Sequence, residues 1–237
     1  MRALLPGIIL SAPLCVSAQT FTGVGGAIPD DGSTVFFSLS VSGLNPATID
    51  TATFGVMGVC LSLMHTYDAD LELSLVAPDG TTVPLSFGNG GSGNNYLNTC
   101  FDADAATSIF SGAPPFSGTF RPQGQLGLVN NGQAGNGVWS LKVHDNYPFA
   151  DAGTLLDWSL SFGSDPASYF SLAASDLPIV VINTGGQGIP DDPKIMADMG
   201  IIWNGPGVRN HITDPFNHYA GKIGIERRGT SSASSPR

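Results

Sequence analysis

Apolar and polar residues alternate with a period of two in three separated stretches of the chain. Leu71, Leu73 and Leu75 alternate with Asp70, Glu72 and Ser74, and the same spacing recurs in Trp139, Leu141 and Val143 and in Trp158, Leu160 and Phe162. Successive side chains of an extended strand point to opposite faces, so each stretch predicts a strand with one buried face. Between the strands, Ala77-Pro78-Asp79-Gly80-Thr81 predicts a hairpin turn: proline presets φ, and Asp-Gly tolerates the positive φ that a tight turn requires. Gly, Pro, Ser, Thr and Asn punctuate residues 21–163 at short intervals, and no apolar stripe of period 3.6 persists there for three turns. The pattern is that of an all-β domain, a sandwich or jelly roll. A chain of this length hides about two-thirds of its unfolded surface on folding, enough for a real core.

The alternation loosens between Phe87 and Phe120, where Gly88–Asn95 reads as a long loop at a sandwich end and Phe101–Phe110 mixes Asp and Ala without a strand period. Residues 164–175 read as a linker. From Asp176 a second segment predicts three further strands, Leu177–Ile182, Lys194–Trp203 and Gly221–Glu226, before a polar, Ser-rich tail at 230–237. Three strands with no helix to cover them make a poor independent domain, so 176–229 is expected to be the opening of something larger. A fragment, a premature stop or a shifted reading frame would account for its abrupt end.

The N-terminus sets the compartment. Arg2, the apolar run Ala3–Val16 and the small residues at Val16-Ser17-Ala18 form the three parts of a secretory signal over residues 1–18, cleaved before Gln19. The run is too short to span a bilayer, which takes roughly 20 residues, and Pro6 and Pro13 would interrupt a buried helix. Ala12-Pro13-Leu14 does not match the residues expected before a lipid-bearing cysteine at Cys15. Removing the signal leaves Cys60 and Cys100, which in an oxidising compartment read as one disulfide, with two buried free thiols as the alternative. Charge divides the chain as well. Residues 19–175 hold 13 Asp/Glu against Arg121 and Lys142, whereas 176–237 hold six acidic and six basic residues. So acidic a front part argues against nucleic acid, whose phosphates require clustered Lys/Arg, and suits divalent cations.

Four stretches of the front domain resemble the P, or Homo B, domain that accompanies subtilisin-like proprotein convertases. They are Ile28-Pro29-Asp30 with the strand around Val35–Val41; His65–Leu75 running into Pro78-Asp79-Gly80-Thr81; Gly137–Asp145; and Asp151–Leu160. The resemblance covers nearly the whole of residues 21–163. It implies a galactose-binding-like jelly-roll sandwich with a stabilising or interaction role, protease chemistry residing elsewhere in such proteins. It also implies that the strand start bearing Asp68 and Asp70 lies beside the loop bearing Asp145, Asn146 and Asp151. Five oxygen-bearing side chains would then converge, a number that suits calcium. The alternative is that these acids cap turns by accepting backbone N–H bonds.

Leu177–Thr184, Ile189–Lys194 and Lys222–Gly229 resemble the opening of the spore-coat CotH family of kinase-like proteins. The nucleotide-contacting lysine and catalytic acids that follow in that family cannot be assigned here. His65 and His144 invite a catalytic reading with Asp68 or Asp145, but no G-x-S-x-G elbow marks a nucleophile, and packed or strand-end histidines fit better. Gly229-Thr230-Ser231-Ser232-Ala233 resembles the nucleophile segment of subtilases, without the proline or the Asp and His motifs that belong with it. The chain is therefore expected to be a non-enzymatic, exported module partnered with other domains or proteins of its assembly. Service to a subtilisin-like serine endopeptidase, or carbohydrate binding, are the alternatives.

Overall fold

The computed structural model describes residues 18–226 apart from 186 and 191. The leader (all but Ala18), Cys15 and the Arg228–Ser231 stretch lie outside the described residues, as does the 230–237 tail. The chain divides into two compact units at Phe170/Ser171.

Eleven strands build the first unit: β1 (Gln19–Ile28), β2 (Thr34–Val41), β3 (Thr48–Asp50), β4 (Gly55–Met64), β5 (Leu71–Val76), β6 (Thr82–Phe87), β7 (Tyr96–Asp102), β8 (Gly118–Phe120), β9 (Asn131–Ala134), β10 (Gly137–Asp145) and β11 (Gly153–Gly163). A five-stranded sheet in the order β1-β11-β4-β7-β8 packs on a four-stranded sheet in the order β2-β10-β5-β6, and β3 and β9 form a small separate pair. The pairing is antiparallel except between β7 and β8. The chain passes repeatedly from one sheet to the other, so consecutive strands supply both layers of a jelly-roll sandwich.

The period of two is realised as read. Leu71, Leu73, Leu75, Trp139, Leu141, Val143, Trp158, Leu160 and Phe162 are all buried in one core. Full burial of each aliphatic side chain stabilises by about 1.5–3 kcal/mol. The Ala77–Thr81 turn joins β5 to β6 as a hairpin, with Gly80 at positive φ and the Ala77 N–H donating to Thr81 O at 2.9 Å. Where no strand period was legible, Tyr96–Asp102 is nevertheless a strand. Its pairing with β4 shifts register between Leu61 and Leu63, which breaks the alternation a sequence can display.

Cys60 and Cys100 stand opposite one another on β4 and β7 and form a disulfide. Closing a loop of 40 residues stabilises by about 4 kcal/mol in the chain-entropy model. Residues after β11 continue along the sandwich as far as Phe170. The Asn130 side chain, buried, donates to Val56 O at 3.0 Å and to Ala167 O at 2.9 Å, while the Ala167 N–H donates to Val56 O. That clamp ties the 164–170 stretch to the body of the unit.

The second unit holds β12 (Ala174–Ser175), β13 (Ile179–Asn183), β14 (Ile195–Ile202), β15 (Asn210–His211) and β16 (Tyr219–Ile225). β13, β14 and β16 form an antiparallel three-stranded sheet and β12 pairs with β15, so the three strands expected after Asp176 all appear. Asp198 and Lys222, opposite each other in register, form an exposed ion pair at 2.7 Å. The described residues contain no helix long and apolar enough to cross a membrane.

Candidate functional site

Register brings the predicted acids together. β10 pairs with β5 so that Asp145 faces Leu71, next to Asp70, and β11 pairs with β4 so that Thr154 faces Met64, two residues before Thr66. The ends of four strands therefore meet at one end of the sandwich. Gly153 permits this: a Cβ there would stand 2.6 Å from the His65 ring and 2.9 Å from Ile28.

At the centre is a buried pair. His65 Nε2 lies 3.0 Å from Asp145 Oδ2, with side-chain exposures of 0% and 1%. The other ring nitrogen, Nδ1, sits 3.2 Å from the Tyr67 N–H. Nδ1 also lies 3.0 Å from the Tyr67 carbonyl oxygen, so the ring meets Asp145 through one nitrogen and the Tyr67 backbone through the other. Asp145 Oδ1 accepts the Tyr147 N–H at 3.1 Å. Such complete enclosure fits a packed histidine that fastens the end of β4 to β10. His144, one residue away, points outward on β10 toward Thr34.

Above the pair opens a cleft of about 390 Å³ lined by Tyr67, Asp70, Tyr147 and Asp151. Asp151 Oδ1 accepts the Thr66 hydroxyl at 2.6 Å, and the Asn146 N–H donates to Asp70 O at 2.8 Å. Burial raises the Asp70 carboxyl above its ordinary range, and the charges of Asp145 and Asp151 add to the rise. Three carboxylates thus crowd one place, and a single imidazole answers one of them. Among the described residues no group of three or more His, Cys, Asp and Glu side chains takes up metal-binding positions.

Asp68 is placed differently from the other four candidates. It opens a single 3-10 turn, Asp68–Asp70, and is wholly buried. The Gly88–Asn95 loop covers it: the Asp68 N–H donates to Gly93 O, and Asp68 Oδ1 accepts the Asn95 N–H at 2.8 Å. Its Oδ2 is buried with no hydrogen-bond partner. Burial pushes its carboxyl up to about 6, against the lowering by the Asn95 N–H and by His65. The structure thus gathers Asp70, Asp145 and Asp151 and sets Asp68 apart; Asp145 accepts a backbone N–H within its own turn, and Asp68 accepts one from the distant Asn95. Tyr67, Tyr147 and Thr66 are site residues that the sequence did not single out.

A pH dependence follows for the protein in chelator. In the unfolded chain Asp68 titrates near the ordinary aspartate value of 3.8, so its raised folded pKa of about 6 favours the folded state fully only below the lower value. That contribution is lost as pH rises through the upper one. Urea unfolding of the wild type and Asp68→Asn at about pH 5 and about pH 7 should show the wild type losing on the order of 1–2 kcal/mol more than the variant. Equal losses would remove the assignment.

Comparison with known proteins adds the following. Leupeptin-inactivating enzyme 1 of Streptomyces exfoliatus is 30% identical over 104 residues, 44% of this chain and 18% of that protein. The transglutaminase-activating metalloprotease of Streptomyces mobaraensis is 28% identical over 138 residues, 57% of this chain and 14% of that protein. The chain thus spans less than a fifth of the length of either relative. Among solved structures, the serine protease of Aeromonas sobria in complex with its chaperone matches 64% of this chain and 27% of its own at 17% identity, with a TM-score of 0.38. Residues 56–162, running from β4 through β11 and including the cleft, match the proprotein convertase P-domain family, as the second, third and fourth motifs imply; the first, Ile28–Val41, precedes the matched stretch.

Proposed function

We propose that this chain is a secreted, non-catalytic accessory module of a protease-like protein, and that a calcium ion held at the strand-end cleft stabilises it. The crowding of Asp70, Asp145 and Asp151 carries the reading: three carboxylates meet with no lysine or arginine side chain among the cleft-lining residues. Asp70 and Asp151 line the cleft and would hold the ion directly. Asp145, committed to His65 and Tyr147, would add negative charge from behind, and Asn146, whose backbone N–H bonds Asp70 O, would supply an amide oxygen from the same loop. Oxygen donors of this kind match the preference of calcium. Bound there, the ion would neutralise the repulsion that adds to the burial-driven rise of the Asp70 carboxyl. Export rests on the leader read in residues 1–18, and the accessory role on the family match and on the protease names of the relatives.

The test is thermal unfolding with calcium and with chelator. A ligand that binds only the folded state stabilises by about 2.7 kcal/mol at a hundredfold excess over its dissociation constant, or roughly 5–10 °C for a domain of this size. Asp151→Asn should abolish most of that shift while leaving the chelated midpoint within a few degrees. An identical midpoint in calcium and chelator would remove the metal. Labelling by an active-site serine probe, together with cleavage of a fluorogenic peptide, would remove the non-catalytic reading.

A further inference from the structure

The loop between β10 and β11 holds aromatic side chains out of the protein at a conformational cost. Phe149 is 82% exposed and its φ is 67°, in the left-handed region that strains any side chain larger than glycine. Asp30 imposes this shape. Its Oδ1 accepts the Phe149 N–H at 2.6 Å and the Ala150 N–H at 3.3 Å, and its backbone carbonyl also accepts the Phe149 N–H at 2.9 Å. Two residues earlier Tyr147 is 61% exposed, with its N–H held by Asp145, and Tyr67 faces it across the cleft at 39%. Neither the strain nor the exposure helps the domain to fold. Exposed, rigidly presented aromatic residues are what protein interfaces are enriched in.

Charge selects the occupant. Asp30 holds the Phe149 loop, and Asp70 and Asp151 line the cleft beside Tyr67 and Tyr147; residues 19–175 contain no lysine or arginine besides Lys142 and Arg121. An anionic membrane or a second copy of this acidic sandwich would be repelled. A lysine or arginine side chain would find the exposed aromatic faces beside Asp30, outside the Asp70 and Asp151 carboxylates that a calcium ion would take, within an acidic surface that favours a cation. We infer that Tyr67, Tyr147 and Phe149 form a docking spur for a cationic polypeptide segment that also carries apolar side chains. The inference rests on the accessory-module reading and names the kind of surface such a module meets.

Phe149→Gly separates docking from folding, because glycine adopts a φ of 67° without strain. The variant should melt at or above the wild-type temperature. The probe is a fluorescent peptide alternating lysine with tryptophan and leucine, compared with one carrying glutamate for lysine and one carrying glycine for the apolar residues. Anisotropy titration of the full chain should show the first peptide binding about tenfold tighter than either control, with Phe149→Gly and Tyr147→Ala each losing about tenfold. Unchanged binding by both variants would overturn the inference, as would equal affinity for the glutamate peptide. So would Phe149-dependent binding to phosphatidylcholine vesicles or to a glycan array in place of the peptide. A calcium-dependent melting shift that persists while the peptide fails to bind would remove the docking spur and leave the module standing.

Discussion

Asp145→Ala is expected to lower the unfolding free energy by about 3–5 kcal/mol, the cost of removing one partner from a buried charged or hydrogen-bonded pair. The substitution does three things at once. It leaves His65 Nε2 without an acceptor in a place where the ring is fully enclosed, it frees the Tyr147 N–H, and it opens a space beneath Asp70. Since folded domains of this kind are stable by only about 5–15 kcal/mol, the loss should be visible as a large drop in the urea midpoint with an unchanged slope. Asp145→Asn should cost less, because one amide oxygen can still serve either His65 or Tyr147, though not both without turning an NH2 toward a donor. Glu72→Gln, on the half-exposed face of β5, is the control and should stay within about 0.5 kcal/mol of wild type. If Asp145→Ala cost less than about 1 kcal/mol, the His65–Asp145 contact would not be the fastener of this end of the sandwich. The metal reading makes a separate claim on the same variant: calcium should stabilise it less than the wild type, since Asp145 supplies part of the charge behind Asp70.

The sandwich was legible because its central strands are half-buried, and half-burial writes a period of two into the sequence. Leu71–Leu75, Trp139–Val143 and Trp158–Phe162 all lie on β5, β10 and β11, which have neighbours on both sides. β8 is three residues long at a sheet edge, too short to carry a period, and β7 is interrupted by the register shift opposite Leu61 and Leu63. The acids were legible as strand-end residues, but their grouping was not. Had β5 begun at Asp68, Asp68 and Asp70 would have pointed to the same face. The 3-10 turn over Asp68–Asp70 breaks that alternation and sends the first under the glycine-rich loop and the second into the cleft. No sequence pattern separates those outcomes, because the bonds that decide them, from Gly93 and Asn95, come from more than twenty residues away. Tyr147 and Phe149 escaped notice for a related reason: a loop aromatic reads the same whether it is packed or displayed. The Asp30 carboxylate that displays Phe149 is distant in sequence and belongs to the turn between β1 and β2.

The two core tryptophans looked equivalent in the sequence, and the structure makes them unequal in a way that stability measurements can read. Trp139 Nε1–H donates to Gly135 O at 2.8 Å, both residues being buried, and its ring meets Phe162 edge to face at 5.6 Å. Trp158 Nε1 is buried without a partner, its ring pressed so close over Gly23 that a Cβ there would fall 2.1 Å from that nitrogen. Trp139→Phe should therefore cost about 3 kcal/mol or more: it loses ring volume and leaves the Gly135 carbonyl unpaired where water cannot reach it. Trp158→Phe loses similar volume but deletes an orphaned donor, whose burial already costs about 1–3 kcal/mol, and the two contributions offset. Its net cost should be about 1 kcal/mol. Trp139→Ala, with both ring and hydrogen bond gone, should approach 5 kcal/mol and sits near the limit of what the domain tolerates. Guanidinium unfolding followed by circular dichroism orders the three variants without relying on the fluorescence of the residues being removed. Equal losses for Trp139→Phe and Trp158→Phe would mean that the Gly135 bond adds nothing to stability and that ring volume alone sets the cost at both positions. The wide separation predicted here requires the bond to matter, because the two rings are the same size and equally buried.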